Sequence, residues 1–273
     1  MKLLAVAVAG RGLVDPADPV FGAGDEALLR GRAAFETTRV YDGRPFRLDA
    51  HVDRLVASAL SLRLPPPDRD ECLALAATAL AGAGVRDAGL RLYWTGATLV
   101  ATVAPIPDEL EMLRARGLRL VSLELGVGLD PPAWLLAGVK STSYAVNMAA
   151  EAEARRRGAD DAVFLAAGGI VLEAPISNVW WRRGDVLYTP ALSLGVLAGV
   201  TRATLLELAP DAGYRVEEGT FPVDELRGAE EAFTSSSVRE LLPIVAVDDS
   251  ELPIGEAARA LQAALRARAS SSD

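Results

Sequence analysis

The chain has 273 residues, 51% of them hydrophobic, and a formal net charge of −9. That length allows two domains with a substantial core. The negative charge argues against nucleic acid or a membrane surface as a partner, because both are bound through excess Lys and Arg. One cysteine and one histidine are too few for a disulfide or a Cys/His metal site. The apolar run at residues 3–9 lacks a cleavage pattern, so we expect a cytoplasmic protein.

The first predicted elements form a small α+β domain over residues 1–107. Residues 3–9 predict a strand, and "RAAFETTRVYDGRPFRL" predicts a hairpin that turns at Asp42 and Gly43. The next segment, "DAHVDRLVASALSLRL", has helical periodicity, with Asp49 as the expected N-cap and prolines as the stop. A second helix is expected over 68–83, followed by strands over 90–95 and 98–104.

A connector and a larger domain follow. Residues 108–117, within "PIPDELEMLRARG", combine charges with preceding prolines, which is typical of a surface link between domains. Residues 118–273 then predict a large domain of alternating strands and helices. The expected strands are 118–125, 161–166, 213–217 and 229–235, with a hairpin over 169–188 and helices over 144–157, 201–210 and 222–227.

Lys140 is one of only two lysines in the chain and stands in "GVKSTSYAVN", in front of a predicted helix. Taken alone, a lysine is most often a solvated surface residue. Here small and hydroxyl residues surround it, and an amine that is partly desolvated near a helix N-terminus has its charged form disfavoured. These are the conditions that favour a Schiff-base lysine.

Three other stretches carry polar groups that suit a ligand. Glu173 interrupts the apolar run "VLEAPISNVWW", where a carboxylate is costly unless a donor or cation meets it. In "LAGVTR" a glycine precedes a helix, so backbone N–H groups and the Thr201 hydroxyl form a cradle for phosphate. "FTSSSVRELLPI" ends a strand in serines. Each also has a plain structural explanation: an exposed strand residue, an N-cap and a Ser-rich turn.

Together with Lys140, these stretches point to one cofactor. A lysine for an imine, an acid for a pyridinium nitrogen and two loops for a phosphate are the groups that pyridoxal 5′-phosphate (PLP) requires. The sequence therefore predicts PLP.

From about residue 28 to 247 the sequence resembles the class IV aminotransferases, the fold type IV PLP enzymes, in the branch of D-amino-acid aminotransferases and aminodeoxychorismate lyases. The resemblance implies a fold with a small α+β domain, a larger pseudo-barrel α/β domain and PLP between them. It also implies a homodimer in which the neighbour completes each active site. The motifs that carry it are "FETTRVYDG", "HVDRL", "GVKSTSYAVNMAAEAEARRRGADDAVF", "VLEAPISNVWW", "LYTP", "LAGVTR" and "FTSSSVRELLPI".

The resemblance also implies roles for individual residues. Lys140 would bind the aldehyde of PLP and move a proton between Cα and C4′, and Glu173 would keep the pyridine nitrogen protonated. Arg54 of "HVDRL" matches the family's phosphate-binding arginine, whose helix His51 helps to pack. The remaining cofactor-binding candidates are Tyr144, Asn178, Leu197, Val200, Thr201, Ser236 and Ser237.

The segments expected near the substrate depart from the family pattern. Many relatives read "T-R-G" with basic residues after it, whereas this chain reads "YWTGATLVATV", with Thr95 at the arginine position. Arg32 replaces the aspartate of "F-G-D-G-x-[FY]-E". Arg32 and Arg39, with Arg30 nearby, are therefore candidates to bind a substrate carboxylate, because a guanidinium binds that group through two hydrogen bonds. Phe35 and Thr95 complete the substrate-binding candidates.

Three functions stay open on the sequence. The first is a transaminase that moves an amino group between an amino acid and a 2-oxo acid, with D-amino acids favoured and (R)-amines also admitted. The second is 4-amino-4-deoxychorismate lyase, which forms 4-aminobenzoate and pyruvate. The third is a PLP-binding protein without turnover, against which the presence of both Lys140 and Glu173 argues.

Overall fold

A computed structural model describes residues 2–271, and the chain divides into two units. Unit 1 comprises the chain up to Pro107 together with Val139–Tyr144. Unit 2 comprises Asp108–Gly138 and the chain from Ala145 onward. Every helix within residues 2–271 falls short of the length and apolar character that a membrane crossing needs.

Unit 1 is an antiparallel sheet with helices on one face. Its described elements are β1 (Ala5–Val8), β2 (Gly12–Val14), α1 (Glu26–Arg30), β3 (Ala34–Tyr41), β4 (Arg44–Pro45), α2 (Leu48–Ser61), α3 (Arg69–Ala83), β5 (Ala88–Trp94) and β6 (Leu99–Ala104). The strand order is β2-β1-β6-β5-β3-β4. Helices α2 and α3 pack on this sheet and share one core with it, including Leu55, Leu75 and Leu92.

Local sequence features explain these elements. Buried and half-buried residues alternate along all of β3, as in a strand with one face on the core. Asp42 and Gly43 have φ values of 51° and 80°, which suit the two-residue hairpin turn that Asp-Gly favours. Helix α3 begins after Asp68, whose side chain accepts the N–H of Glu71, and ends at Gly84 with φ 63°. The predicted hairpin and second helix are confirmed.

The predicted N-cap of α2 is wrong. Asp49 is the expected cap, but the capping position is Arg47, which has φ 51° and makes no side-chain capping bond in the described structure. The chain turns from β4 directly into the helix through this left-handed residue. Asp49 therefore lies inside the first turn, where its charge still meets the positive end of the helix dipole.

Unit 2 is built on a mixed sheet. Its described elements are α4 (Leu110–Arg116), β7 (Leu118–Glu124), α5 (Ala145–Arg156), β8 (Asp161–Ala166), β9 (Ile170–Val171), β10 (Asn178–Arg183), β11 (Val186–Pro190), α6 (Val200–Leu208), β12 (Arg215–Gly219), α7 (Val223–Arg227), β13 (Glu231–Ser236), β14 (Glu240–Val247), β15 (Ser250–Glu251) and α8 (Ala257–Ser270). The order is β12-β11-β10-β13-β14-β7-β8-β9, and β15 pairs with β14. Its cores include Trp181, Ile244 and Phe164.

The predicted connector is structured. Residues 108–117 contain α4, because Leu110 is buried and Arg114 forms an ion pair with Glu240 at 2.7 Å. Residues 139–144, which the prediction assigns to the large domain, group with unit 1, because Thr142 donates its N–H to the Ala33 carbonyl.

The hairpin predicted over 169–188 is split. Strand β9 ends at Val171 and β10 begins at Asn178, so Glu173 lies in the loop between them and not within a strand. Its carboxylate binds donors of other segments, which an exposed strand position does not offer. Strand β14 and helix α8 are absent from the prediction.

Candidate functional site

Lys140 lies beside the first residues of β3 in unit 1. Its carbonyl accepts the N–H of Phe35 at 3.1 Å, and its own N–H donates to Ser58 Oγ at 3.3 Å. Two residues further on, Thr142 donates its N–H to the Ala33 carbonyl at 2.9 Å. These bonds fix the backbone around the lysine, so its half-buried side chain projects from a rigid support.

The lysine amine lies over one aromatic ring, and that ring packs against two others. Lys140 Nζ lies 4.4 Å from the centre of the Phe35 ring. That ring stacks on Tyr93 at 6.2 Å and meets the edge of Tyr144 at 5.4 Å. The structure thus brings together three predicted residues, Lys140, Phe35 and Tyr144. Tyr93 is missed by sequence reasoning, because its position opposite Phe35 follows only from the β3–β5 register.

Phe35 begins a row of half-buried side chains on the sheet face that does not carry α2 and α3. Thr37, Arg39 and Tyr41 continue the row along β3, and the guanidinium of Arg39 lies 5.1 Å from the Tyr41 ring. Arg91 of β5 stands opposite Thr37 and joins the same face. Arg91 is a second residue that the sequence alone does not single out.

Two predicted substrate-binding residues make structural contacts. The guanidinium of Arg32 donates to the carbonyl of Leu62 at 3.1 Å and to that of Arg63 at 2.8 Å. Thr95 Oγ1 accepts the N–H of Thr98 at 3.1 Å in the turn between β5 and β6. A substrate contact of Arg32 or Thr95 stays a prediction.

Arg54 is held by a buried carboxylate. Its Nε and Nη2 donate to the two oxygens of Glu36 at 2.6 and 2.8 Å, and Glu36 is 1% exposed. His51 Nδ1 lies 2.8 Å from the same carboxylate. Burial raises the pKa of Glu36, but Arg54 and His51 outweigh that effect and lower the pKa to about 2. The ionised Glu36 with its partners therefore stabilises the fold above pH 4.5. This stabilisation is lost as the pH falls toward 2 and Glu36 becomes protonated.

Glu36 is a functional candidate that the sequence reasoning missed. A glutamate at an inward position of an alternating strand is a signal by itself, because an isolated charge there is costly. The sequence also offers a partner for this glutamate, because Arg54 lies on the inward face of the next helix, one turn after His51.

Glu173 is held by donors from two segments of unit 2. The N–H of Leu197 lies 3.1 Å from both of its carboxylate oxygens. Asn178 Nδ2 donates to Glu173 Oε2 at 3.2 Å and to the Leu197 carbonyl at 2.9 Å. The three residues, all predicted to bind the cofactor, therefore form one hydrogen-bonded group that orients the carboxylate.

The N-terminus of α6 lies next to this group. Gly199 is the N-cap, and within the described residues no side chain caps the helix. The first N–H groups, including those of Val200 and Thr201, are thus not satisfied by a capping side chain. A Cβ atom on Gly199 would overlap Asn178 Oδ1. Only glycine therefore allows this close approach.

The serines of β13 reach the same region. Ser235 is the cross-strand partner of Asn178 and accepts the Trp180 Nε1–H at 2.9 Å. Ser236 and Ser237, the predicted phosphate ligands, follow as half-buried residues where the strand turns toward β14. Asn178 therefore connects the Glu173 group, the start of α6 and the serine turn.

The groups of each unit fit parts of PLP. In unit 2, a helix N-terminus without a capping side chain and nearby serines suit a phosphate, and an oriented carboxylate suits a pyridinium N–H. In unit 1, a lysine amine on a fixed backbone suits an aldehyde.

Comparison with known proteins reaches the same family. The model of "Amino-transferase class IV" matches residues 33–247. The bifunctional aminodeoxychorismate lyase / D-amino acid transaminase of Mycobacterium tuberculosis is 33% identical over 261 residues, covering 88% of this chain and 90% of that protein. A solved fold IV-transaminase from Curtobacterium pusillum is 34% identical with a TM-score of 0.89, covering 98% of this chain and 99% of the other.

A further solved structure carries ligands. It is a hypothetical aminotransferase from Mycobacterium tuberculosis in its alpha-ketoglutarate and PMP bound form, 31% identical with a TM-score of 0.89, covering 97% of this chain and 98% of the other. These matches confirm the predictions of the fold and of the cofactor. The chain belongs to the class IV aminotransferase family and is a PLP-dependent enzyme of fold type IV.

Proposed function

We propose that this enzyme is a transaminase that moves an amino group between an amino acid, with D-amino acids preferred, and a 2-oxo acid. The observation that carries the proposal is the Lys140 amine, held against Phe35 at 4.4 Å on a backbone that is hydrogen-bonded on both sides. An amine at a fixed position serves both to bind an aldehyde and to move a proton. The M. tuberculosis proteins named above support a D-amino acid donor and a 2-oxo acid acceptor.

Each predicted residue has a role in this proposal. Bound PLP supplies the electron sink for the pair released at the substrate Cα. Lys140 would take the proton from Cα and return it during transfer. Glu173, aimed by Leu197 and Asn178, would keep a proton on the pyridine nitrogen. Binding of the phosphate is assigned to Arg54 and to the start of α6, with Val200, Thr201, Ser236 and Ser237.

The substrate carboxylate needs a cation on the side of Lys140. Arg91 stands opposite Thr37, two residues from Phe35, whereas Arg39 lies four residues from Phe35. At ~3.4 Å per residue the intervals are ~7 and ~14 Å. An arginine side chain spans the shorter interval, so Arg91 is our first candidate and Arg39 the second.

Aminodeoxychorismate lyase is the second candidate function. The M. tuberculosis relative is named for both the lyase and the D-amino acid transaminase. The two reactions need the same lysine, acid and phosphate groups, and differ in whether pyruvate leaves the substrate or an amino group stays on the cofactor.

We also propose that the enzyme is a homodimer. Several large apolar side chains of unit 2 are exposed, and a subunit interface would remove them from water. Trp134 is 79% exposed and Met148 64% exposed, and further exposed apolar residues of unit 2 are Leu125, Leu129, Leu135, Leu136 and Val146.

Lys140→Ala should abolish covalent attachment of PLP and lower amino transfer about 10²–10⁴-fold, because it removes the nucleophile and the proton carrier. Borohydride reduction followed by peptide mass spectrometry should find PLP on the Lys140 peptide of the unchanged protein only. The chain has one other lysine, so Lys2→Arg is a matched control that should keep both properties. A variant with Ala at 140 that still traps PLP would contradict the assignment.

Glu173→Gln should still bind PLP but turn over about 10²–10³-fold more slowly, because a neutral amide does not hold a proton on the pyridine nitrogen. Absorbance titration gives PLP binding and steady-state assays give kcat. Glu124→Gln, at an exposed position of β7, is the control and should behave like the unchanged enzyme. Normal turnover of Glu173→Gln would rule out its role.

A substrate panel separates the two functions. The enzyme is incubated with 2-oxoglutarate or pyruvate against D- and L-amino acids, and separately with aminodeoxychorismate. We expect amino transfer from D-amino acids and little 4-aminobenzoate. Efficient formation of pyruvate and 4-aminobenzoate without amino transfer would select the lyase.

The same panel tests the arginines. Arg91→Gln should raise the apparent KM for amino acids about tenfold or more while sparing (R)-amines that lack a carboxylate, because a charged hydrogen-bonded pair is lost. Arg39→Gln and Arg32→Gln serve as comparisons. If Arg39→Gln or Arg32→Gln raises the KM for amino acids but not for (R)-amines, and Arg91→Gln does not, the substituted residue and not Arg91 binds the carboxylate.

Trp134→Glu should weaken the homodimer, because it replaces a highly exposed apolar side chain with a charge. Light scattering over a dilution series should show the unchanged protein as a dimer and the variant shifted toward monomer. Met112 is also exposed, at 55%, and lies on α4, so Met112→Glu is the control. A monomeric unchanged protein refutes the proposal.

A further inference from the structure

A buried polar cluster lies on the core side of β3. Glu36, His51 and Arg54 meet there, and the first two are each 1% exposed. His51 and Arg54 stand one turn apart on α2 and approach the same carboxylate from one helix face. The proposed reaction uses only Arg54 of these three residues. The buried His51 beside Glu36, the partner of Arg54, therefore needs an explanation.

The protonation of the cluster follows from its chemistry. The Glu36 carboxyl has a pKa of about 2, so it is ionised and accepts hydrogen bonds only. Burial lowers the pKa of His51, and Glu36 only partly opposes this, while Arg54 and Lys140 lower it further. The ring is therefore neutral at pH 7. Because Nδ1 lies 2.8 Å from an oxygen that only accepts, Nδ1 carries the proton and donates it.

The hydrogen bonds around Glu36 fix its carboxylate in one plane. Oε1 accepts Arg54 Nε at 2.6 Å. Oε2 accepts Arg54 Nη2 at 2.8 Å, His51 Nδ1 at 2.8 Å and the N–H of Thr37 at 3.2 Å. The two-bond contact with Arg54 is planar, so any rotation of the carboxylate would rotate the guanidinium with it. The bond from His51 to Oε2 comes from a side chain outside the Glu36–Arg54 pair, and it resists this rotation.

We propose that His51 is a positioning residue for the cofactor phosphate: it fixes Glu36 and, through Glu36, the direction of the Arg54 guanidinium. This inference rests on the proposed assignment of Arg54 to the phosphate. A neutral donor suits the role, because it orients the carboxylate without adding a second positive charge that would compete with Arg54 for Glu36. The phosphate therefore meets an arginine whose orientation is set before binding, which lowers the entropic penalty of binding.

The test compares two ligands on the apoenzyme. PLP and pyridoxal differ only in the phosphate, so the ratio of their dissociation constants isolates the phosphate contribution. His51→Leu keeps a side chain of similar size without a donor, and His51→Asn retains an N–H donor at the corresponding position. We expect His51→Leu to weaken PLP binding about five- to tenfold, in the range for one typical intramolecular hydrogen bond, and to leave pyridoxal binding unchanged. His51→Asn should stay within about twofold of the unchanged protein.

A double variant separates this inference from the assignment on which it rests. The PLP preference is the ratio of the dissociation constants for pyridoxal and PLP. Arg54→Gln should lower this preference more than His51→Leu does. The combined variant should bind PLP no more weakly than Arg54→Gln alone, because both substitutions act through one contact. If Arg54→Gln keeps the full preference, the phosphate role of Arg54 fails and this inference falls with it. If Arg54→Gln loses the preference and His51→Leu does not, only the role of His51 is overturned.

Two further outcomes also overturn the role of His51. One is an equal loss of PLP and pyridoxal binding in His51→Leu, which would mean a general structural effect. The other is an equal loss of PLP binding in His51→Asn and His51→Leu, which would mean that the Nδ1–H bond is not the cause. Thermal unfolding of each apoenzyme checks that the variants are folded. If His51→Leu does not fold, His51→Ala provides the same comparison, because it removes the donor without adding bulk.

Discussion

The alternation of side chains along β3 is the constraint on which the candidate site of unit 1 depends. One set of residues faces the core and includes Glu36, and the other faces outward and includes Phe35. Inward, Glu36 holds Arg54, and breaking such a buried pair costs about 3–5 kcal/mol. Outward, the Phe35 ring supports the Lys140 amine. A shift of one residue in the pairing with β5 would exchange the two faces, so the ion pair and the lysine support require the same register.

Unit 2 also holds a carboxylate in place, but this carboxylate, Glu173, lies on a loop and not on a strand. Glu173 follows β9, and its carboxylate is held by a backbone N–H of Leu197 and a side-chain amide of Asn178. Such donors hold a partly buried carboxylate in one orientation. Asn178 also pairs across the sheet with Ser235. Asn178 therefore connects the acid and the start of α6 through its side chain, and the strand that leads to the serine turn through its backbone.

Much of the candidate site could be proposed from the sequence because it lies in contiguous motifs. Lys140, Glu173 and the glycine before α6 are recognisable from residue type and neighbours alone. Tyr93 and Arg91 are not, since their positions depend on which strand pairs with β3 and in which register. Glu36 is recognisable only when the inward face of β3 is considered together with that of α2. Strand β14 was missed for a related reason: most of its residues are buried on both faces and it contains Pro243, so it lacks the alternating pattern. The left-handed Arg47 likewise follows no local signal, because arginine rarely adopts that conformation.

The close packing at Gly199 has a consequence for changing the substrate range of this enzyme. Any side chain there would displace Asn178 and with it the donors around Glu173, so variation at this position would disturb the carboxylate that we propose for the pyridine nitrogen. The outward row of unit 1 is different, because Thr37, Arg39 and Arg91 are half-buried and carry no part of the Glu173 group. Mutant libraries for new amine or amino acid substrates should therefore randomise that row and keep residue 199 as glycine.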